Sequence, residues 1–81
     1  MSYNTKKKDS QGRDILENDI VLAYHKGKRF FCGIVKYDDY TSEFDIGVIN
    51  KPFRWGLKNF QSSELLIVGH GMTDKEIADG Y

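Results

Sequence analysis

Asp9-Ser10-Gln11-Gly12-Arg13-Asp14-Ile15-Leu16-Glu17-Asn18-Asp19-Ile20-Val21 is the stretch whose reading decides the fold. It runs as a polar turn, a short apolar pair, a tight polar break and the start of a strand. A chain that makes a sharp corner ahead of its first long strand opens a small all-β architecture. The stretch carries scaffold grammar and no chemistry.

Downstream the chain continues as a meander. Residues 19–25 have the β-branched and aromatic side chains of a strand, and Lys26-Gly27-Lys28 is a glycine-centred hairpin loop. Residues 29–37 form a second strand around Gly33, and a mid-strand glycine marks a bulge or a close backbone approach. A polar loop over 38–43 leads to 44–49, where Phe44, Ile46 and Val48 alternate with Asp45 and Gly47. Phe53, Trp55 and Phe60 lack a period of two. Residues 53–63 therefore read as a short strand or irregular excursion around Arg54-Trp55, followed by a loop. Residues 64–69 make the last strand. Thr73 and Glu76 have capping-box spacing, which predicts a short helical turn over 74–79 that must dock or fray. The expected organisation is a flexible tail over 1–8, a mainly β, SH3-like small β-barrel of about five strands over 9–72, and a C-terminal helical turn and tail over 73–81.

Composition bounds the function. Eighty-one residues make one domain, and a 40% hydrophobic content is enough for a core, so disorder of the whole chain is not expected. Twelve basic and twelve acidic side chains cancel. A dedicated nonspecific DNA binder needs excess positive charge to displace counterions, and this balance argues against one. Cys32 is the only cysteine, so no intramolecular disulfide forms. No apolar run approaches the roughly 20 residues that span a bilayer, and the lysine-rich start is not followed by the apolar core of a signal peptide. The expected setting is a cytoplasm, with no membrane partner.

Asp9, Gly12 and Ile15, then Asn18-Asp19-Ile20-Val21, then Gly33-Ile34-Val35-Lys36-Tyr37-Asp38, then Leu66-Ile67-Val68-Gly69, occur in that order. Together they resemble the YopX family of phage and prophage proteins. The family's glycine-aspartate-isoleucine-valine strand start has Asn18 in the glycine position, the next-best residue for a left-handed turn. Its asparagine-proline-glutamate-leucine helix start is replaced by Thr73-Asp74-Lys75-Glu76-Ile77, which keeps the cap and the apolar residue without the proline. The resemblance spans residues 9–79. It implies an SH3-like barrel and a virus-encoded accessory protein in the host cytoplasm, and it brings no shared catalytic residues.

The chemistry-bearing side chains form no recognisable reactive set. Cys32 lies in Phe30-Phe31-Cys32-Gly33, whose apolar character buries a thiol and keeps it protonated. His25, His70 and Cys32 lack the close-spaced pairs of a zinc site. Asp38-Asp39 and the acids at 74, 76 and 79 fall in polar segments, where a solvated carboxylate is the plain reading. Gly69-His70-Gly71 lacks the following lysine of a phosphate loop. Neither an enzyme nor a cofactor is expected.

The most suggestive segment is Lys51-Pro52-Phe53-Arg54-Trp55-Gly56-Leu57-Lys58-Asn59-Phe60, which interleaves cations with aromatics. Such a segment either stacks and grips a partner or caps the open end of a small barrel with its aromatics while its cations face water. The leading expectation is a noncatalytic binding module for a host or viral protein, acting through Arg29, Phe53, Arg54, Trp55, Lys58 and Phe60, with inhibition of the target as an extension. The alternative is a nucleic acid or nucleotide ligand at the same residues. A homo-oligomer that buries edge strands is a third.

Overall fold

The computed structural model describes residues 3–71. Seven strands follow one another along the chain: β1 (Asn4–Lys8), β2 (Asp14–Leu16), β3 (Asp19–His25), β4 (Lys28–Asp38), β5 (Glu43–Val48), β6 (Arg54–Gly56) and β7 (Leu65–His70). Two 3-10 turns, Leu57–Asn59 and Ser62–Glu64, link β6 to β7. The chain is mainly β. Five strands make one antiparallel sheet in the order β6-β5-β4-β3-β7, and β1 pairs with β2 in a separate two-stranded ribbon. The helical turn expected over 74–79 lies outside the described residues. Among the described residues, no helix is long and apolar enough to cross a membrane.

The flexible tail expected over 1–8 is corrected for Asn4–Lys8, which is β1. The lysines mask an alternation in which Thr5 and Lys7 are the half-buried positions. Thr5 Oγ1 donates to Ile15 O at 2.7 Å, and Lys6, at φ 66°, occupies an irregularity in the β1–β2 register. Lysine-rich composition reads as solvated tail, and only pairing with β2 reveals the strand.

The quoted stretch pins the sheet at both of its ends. Asp9 is 2% exposed, yet its carboxylate is saturated. Oδ1 accepts the N–H groups of Gln11 and Arg13 at 3.0 and 2.9 Å, and Oδ2 accepts the Arg13 guanidinium at 2.9 Å and the Ile67 N–H at 3.1 Å. Arg13 Nη2 also donates to Ile67 O, and Ser10 N–H to Leu65 O. The outer edge of β7 is thus covered by a turn rather than left as a template for aggregation. Burial by itself raises the Asp9 pKa, but the backbone donors of Arg13, Ile67 and Gln11 and the Arg13 side chain outweigh it and hold the group below 3.8. At the other end Asn18, in the left-handed region at φ 74°, donates its N–H to Val35 O at 2.8 Å. Asp19 accepts the Leu16 N–H at 2.8 Å and lies 2.6 Å from His70 Nδ1, tying β2, β3 and β7 together.

Alternation along the strands separates two apolar clusters. Val21 and Ala23 of β3, Phe31 and Val35 of β4, Ile46 of β5 and Leu65 of β7 face one way, where Ile15, Leu57 and Phe60 join them. Ile15, Val21, Val35, Ile46 and Leu65 expose nothing. Each contributes roughly 1.5–3 kcal/mol by leaving water. The opposite face carries Ile20, Leu22 and Cys32, with Tyr24, Ile34, Ile49, Leu66 and Val68 packed around them. Gly33 is a close approach, not a bulge: a Cβ there would lie 2.6 Å from both Gly47 O and Ile46 Cγ2. The β3–β4 hairpin turns at Lys26 and Gly27, both at positive φ (52° and 77°), the pairing that matches strand twist in a two-residue loop.

Candidate functional site

β4 does carry a bulge, three residues before Gly33. Ala23 pairs with Phe31 and Tyr24 with Arg29, so Phe30 is the extra residue on β4. A bulge re-aims a side chain. Consecutive Phe30 and Phe31, which would point to opposite faces of a regular strand, here meet edge-on with ring centroids 5.1 Å apart. Both then reach Trp55 of β6, Phe30 at 5.4 Å in an edge contact and Phe31 at 6.4 Å in a near-parallel stack. Phe60 closes the inner side, 5.7 Å from Phe31 and 6.4 Å from Trp55.

This cluster grades from core to surface. Phe31 and Phe60 are 9% and 7% exposed, whereas Trp55 is 41%, Phe30 50% and Phe53 63% exposed. Trp55 therefore combines the two roles read from the sequence. Its inner side caps the core and its outer side faces solvent. Phe30, Phe31, Val48, Lys51, Pro52, Phe53, Arg54 and Trp55 line an open groove of about 690 Å³. Its lining is apolar, with Lys51 and Arg54 the only charged members. Lys51–Phe53 is placed by the turn after β5, where Val48 N–H bonds Phe53 O at 3.0 Å and Asn50 takes φ 57°. A second hollow of about 600 Å³, among Ser10, Gln11, Tyr24, Lys26, Gln61 and Glu64, is lined mostly by polar side chains.

Of the six residues read as a binding set, Phe53, Arg54 and Trp55 come together on this groove. Phe60 is in the core, beneath Trp55, as the barrel-capping alternative for this segment anticipated. Lys58 is elsewhere: it lines a different hollow with Thr5, Lys7, Glu43 and Phe44. Arg29 is not among the groove residues. Its charge is felt by the Cys32 thiol, whose side chain belongs to the opposite face of the sheet. Burial pushes that thiol up, and the Arg29 charge offsets only part of the rise. Phe30 was missed as a surface residue. The signal available for it was the adjacent pair of bulky aromatics, which only a bulge places on one side.

The cations of the segment are largely engaged. The Arg54 guanidinium lies 3.2 Å from Asp38 and 3.6 Å from Asp45, and Lys58 Nζ lies 2.9 Å from Glu43 Oε1. Asp45 and Gly56 are opposed across β5 and β6, as are Gly47 and Arg54, so the strand pairing itself brings Arg54 to these acids. The groove is thus an aromatic surface with a nearly balanced charged rim, not a phosphate-gripping strip. The groups that face it can pack, stack and exclude water. No protein-family model, curated protein or solved structure matches the chain.

Proposed function

We propose that this protein is a noncatalytic binding module that docks a protein partner on the Phe30–Phe53–Trp55 surface. The observation that carries this reading is the exposure of Phe30, Phe53 and Trp55 together on one apolar groove, the other exposed large aromatics among the described residues being the tyrosines Tyr3, Tyr37 and Tyr40, which do not line it. Exposed aromatic side chains held rigidly by a sheet are typical interface anchors, and an exposed apolar patch in a small domain marks a contact site. Ion pairing of Arg54 and Lys58 favours a protein over a nucleic acid, because charges already neutralised release few counterions from a phosphate backbone. An SH3-like barrel and a YopX-like phage accessory role in a host cytoplasm fit the motifs of residues 9–21, 33–38 and 66–69 and the five-stranded antiparallel sheet. Occlusion of a host or viral protein is the corresponding mode of action.

The test is affinity capture from host lysate with the wild-type chain and Trp55→Ala in parallel, followed by reconstitution from purified components. A partner retained by the wild type and lost by the variant, at unchanged fold, is the expected result. Capture that is indifferent to Trp55, or salt-sensitive binding to single-stranded oligonucleotides in its place, overturns the assignment.

A further inference from the structure

The two outer strands of the sheet end differently. Along β7 the Asp9 corner fills the edge, with Ser10 N–H donating to Leu65 O and Ile67 N–H to the Asp9 carboxylate. Along β6 no strand among the described residues does so. Val48 N–H bonds Phe53 O and Ile46 stands opposite Trp55, so by the alternation of an antiparallel pair Trp55 turns its backbone groups toward β5. Arg54 and Gly56 turn theirs away, where no described residue bonds them. Arg54 and Trp55 are exposed and Gly56 is half-buried. Such an edge is a template for another strand.

We infer that the partner docks as an extended peptide strand added to the free edge of β6, with two apolar side chains at alternate positions and an acid beside them. This rests on the Phe30–Phe53–Trp55 surface being the docking site and names what occupies it. Phe53 and Trp55 are two residues apart and share the face of Val48 and Ile46. A strand lying along β6 therefore sets its own alternate side chains against those two rings, while its backbone bonds Arg54 and Gly56. Pro52 has no N–H to offer at one end, and the 3-10 turn from Leu57 closes the edge at the other. The edge thus admits a short segment and not an open-ended stack of strands. The acid follows from the charge on the groove. Of its two cations, Arg54 is held by Asp38 and Asp45, whereas Lys51, exposed at the Pro52 end, has no ion pair among the described residues. A carboxylate on the added strand supplies that pair.

Gly56 separates the backbone bonds from the rings. Its φ of −63° is already that of proline, so Gly56→Pro removes the outward N–H without changing the backbone angle. A Cβ there first meets the Asn59 amide, with Nδ2 at 3.1 Å, and Gly56→Ala shares that contact while keeping the N–H. A displayed library of random short peptides is selected on the wild-type chain, and a synthetic peptide of the recovered sequence is titrated into wild type, Gly56→Ala, Gly56→Pro and Trp55→Ala. The expected peptide carries an acid and two apolar residues at alternate positions. Its affinity is about tenfold lower for Gly56→Pro than for Gly56→Ala, and its binding slows hydrogen exchange at the Arg54 and Gly56 amides. If Gly56→Pro does not fold, a peptide N-methylated at alternate amides makes the same comparison on the wild-type chain. Equal affinity for the alanine and proline chains, with binding still lost in Trp55→Ala, overturns the added strand and leaves the docking surface to a partner held by side chains alone. A selection that yields no Trp55-dependent peptide also overturns it. So does self-association of the wild type that Gly56→Pro abolishes, because a second copy then occupies the edge.

Discussion

The Asp9 corner and the Trp55 groove invert the ordinary rule of polar outside and apolar inside, and they do so for opposite reasons. At the corner a carboxylate is 2% exposed, with donors from Gln11, Arg13 and Ile67 filling both of its oxygens. At the groove three aromatics stay in water with no covering element among the described residues, although a core is immediately beneath them. A buried charge with every lone pair engaged fixes a structure. It cannot be removed without leaving its donors stranded. Half-exposed aromatics held by a rigid sheet contribute less to the fold than buried ones and leave apolar surface for a partner. The first region is scaffold and the second is the proposed site.

The sharpest way to break this contrast is to delete its buried half. Asp9→Ala is expected to destabilise the protein by about 2–3 kcal/mol, as measured by urea unfolding, because the half-exposed Arg13 can turn to water but the N–H groups of Gln11, Arg13 and Ile67 lose their acceptor. For a domain of this size that is a large share of the total. The loss carries a pH signature. Because the folded-state pKa of Asp9 lies below its ordinary value, its contribution is fully present above about pH 4 and disappears as pH falls through the depressed folded value. Asp9→Asn should therefore show a flatter decline of stability below pH 4 than the wild type. An equal decline would assign the acid sensitivity to other carboxylates, of which Asp14, lowered by its bonds to Lys8 and Asn4, is the next candidate.

Gly33→Ala ranks second. The new methyl would meet backbone at Gly47 O, which cannot move aside as a flexible side chain can, and a cost of about 1–3 kcal/mol is expected by thermal or urea unfolding. Its effect should be on stability alone. Trp55→Ala comes next for the fold, at about 1–2 kcal/mol, well below the 3–5 of a fully buried aromatic because much of the ring is already in water. For partner binding its order reverses, and a loss of about 2 kcal/mol or more, by calorimetry, is expected of an anchor. A Trp55→Ala protein that binds normally would remove the groove from function. The smallest effect belongs to Lys58→Ala, whose exposed pair with Glu43 should be worth no more than about 1 kcal/mol, and less in high salt.

Much of this fold was legible in the residues, and particular positions show why. The hairpin at Lys26-Gly27, the left-handed Asn18, the alternation of Phe44, Ile46 and Val48 and the short strand at Arg54-Trp55 are local events. Each is decided by backbone preference or by side-chain period over a few residues. β1 escaped notice because its stability comes from pairing with β2, which composition does not encode. The site was legible in part. An aromatic-cationic segment was visible at residues 51–60, but whether a given ring was core or surface was not. Phe60, between Asn59 and Gln61, is buried, whereas Phe53, between Pro52 and Arg54, is exposed.

By itself the sequence determined a small antiparallel β chain, its main turns and an aromatic-cationic segment over residues 51–60. Only the tertiary structure decided that Asp9 is a buried clasp on the edge of β7, that Arg29 does not line the Trp55 groove, and that a bulge turns Phe30 toward it. The physical reason is one of range. Turn propensity and strand period act between near neighbours along the chain. The donors on Asp9, the acids around Arg54 and the partners of Trp55 come from strands far apart in sequence, and they meet only once the sheet has formed.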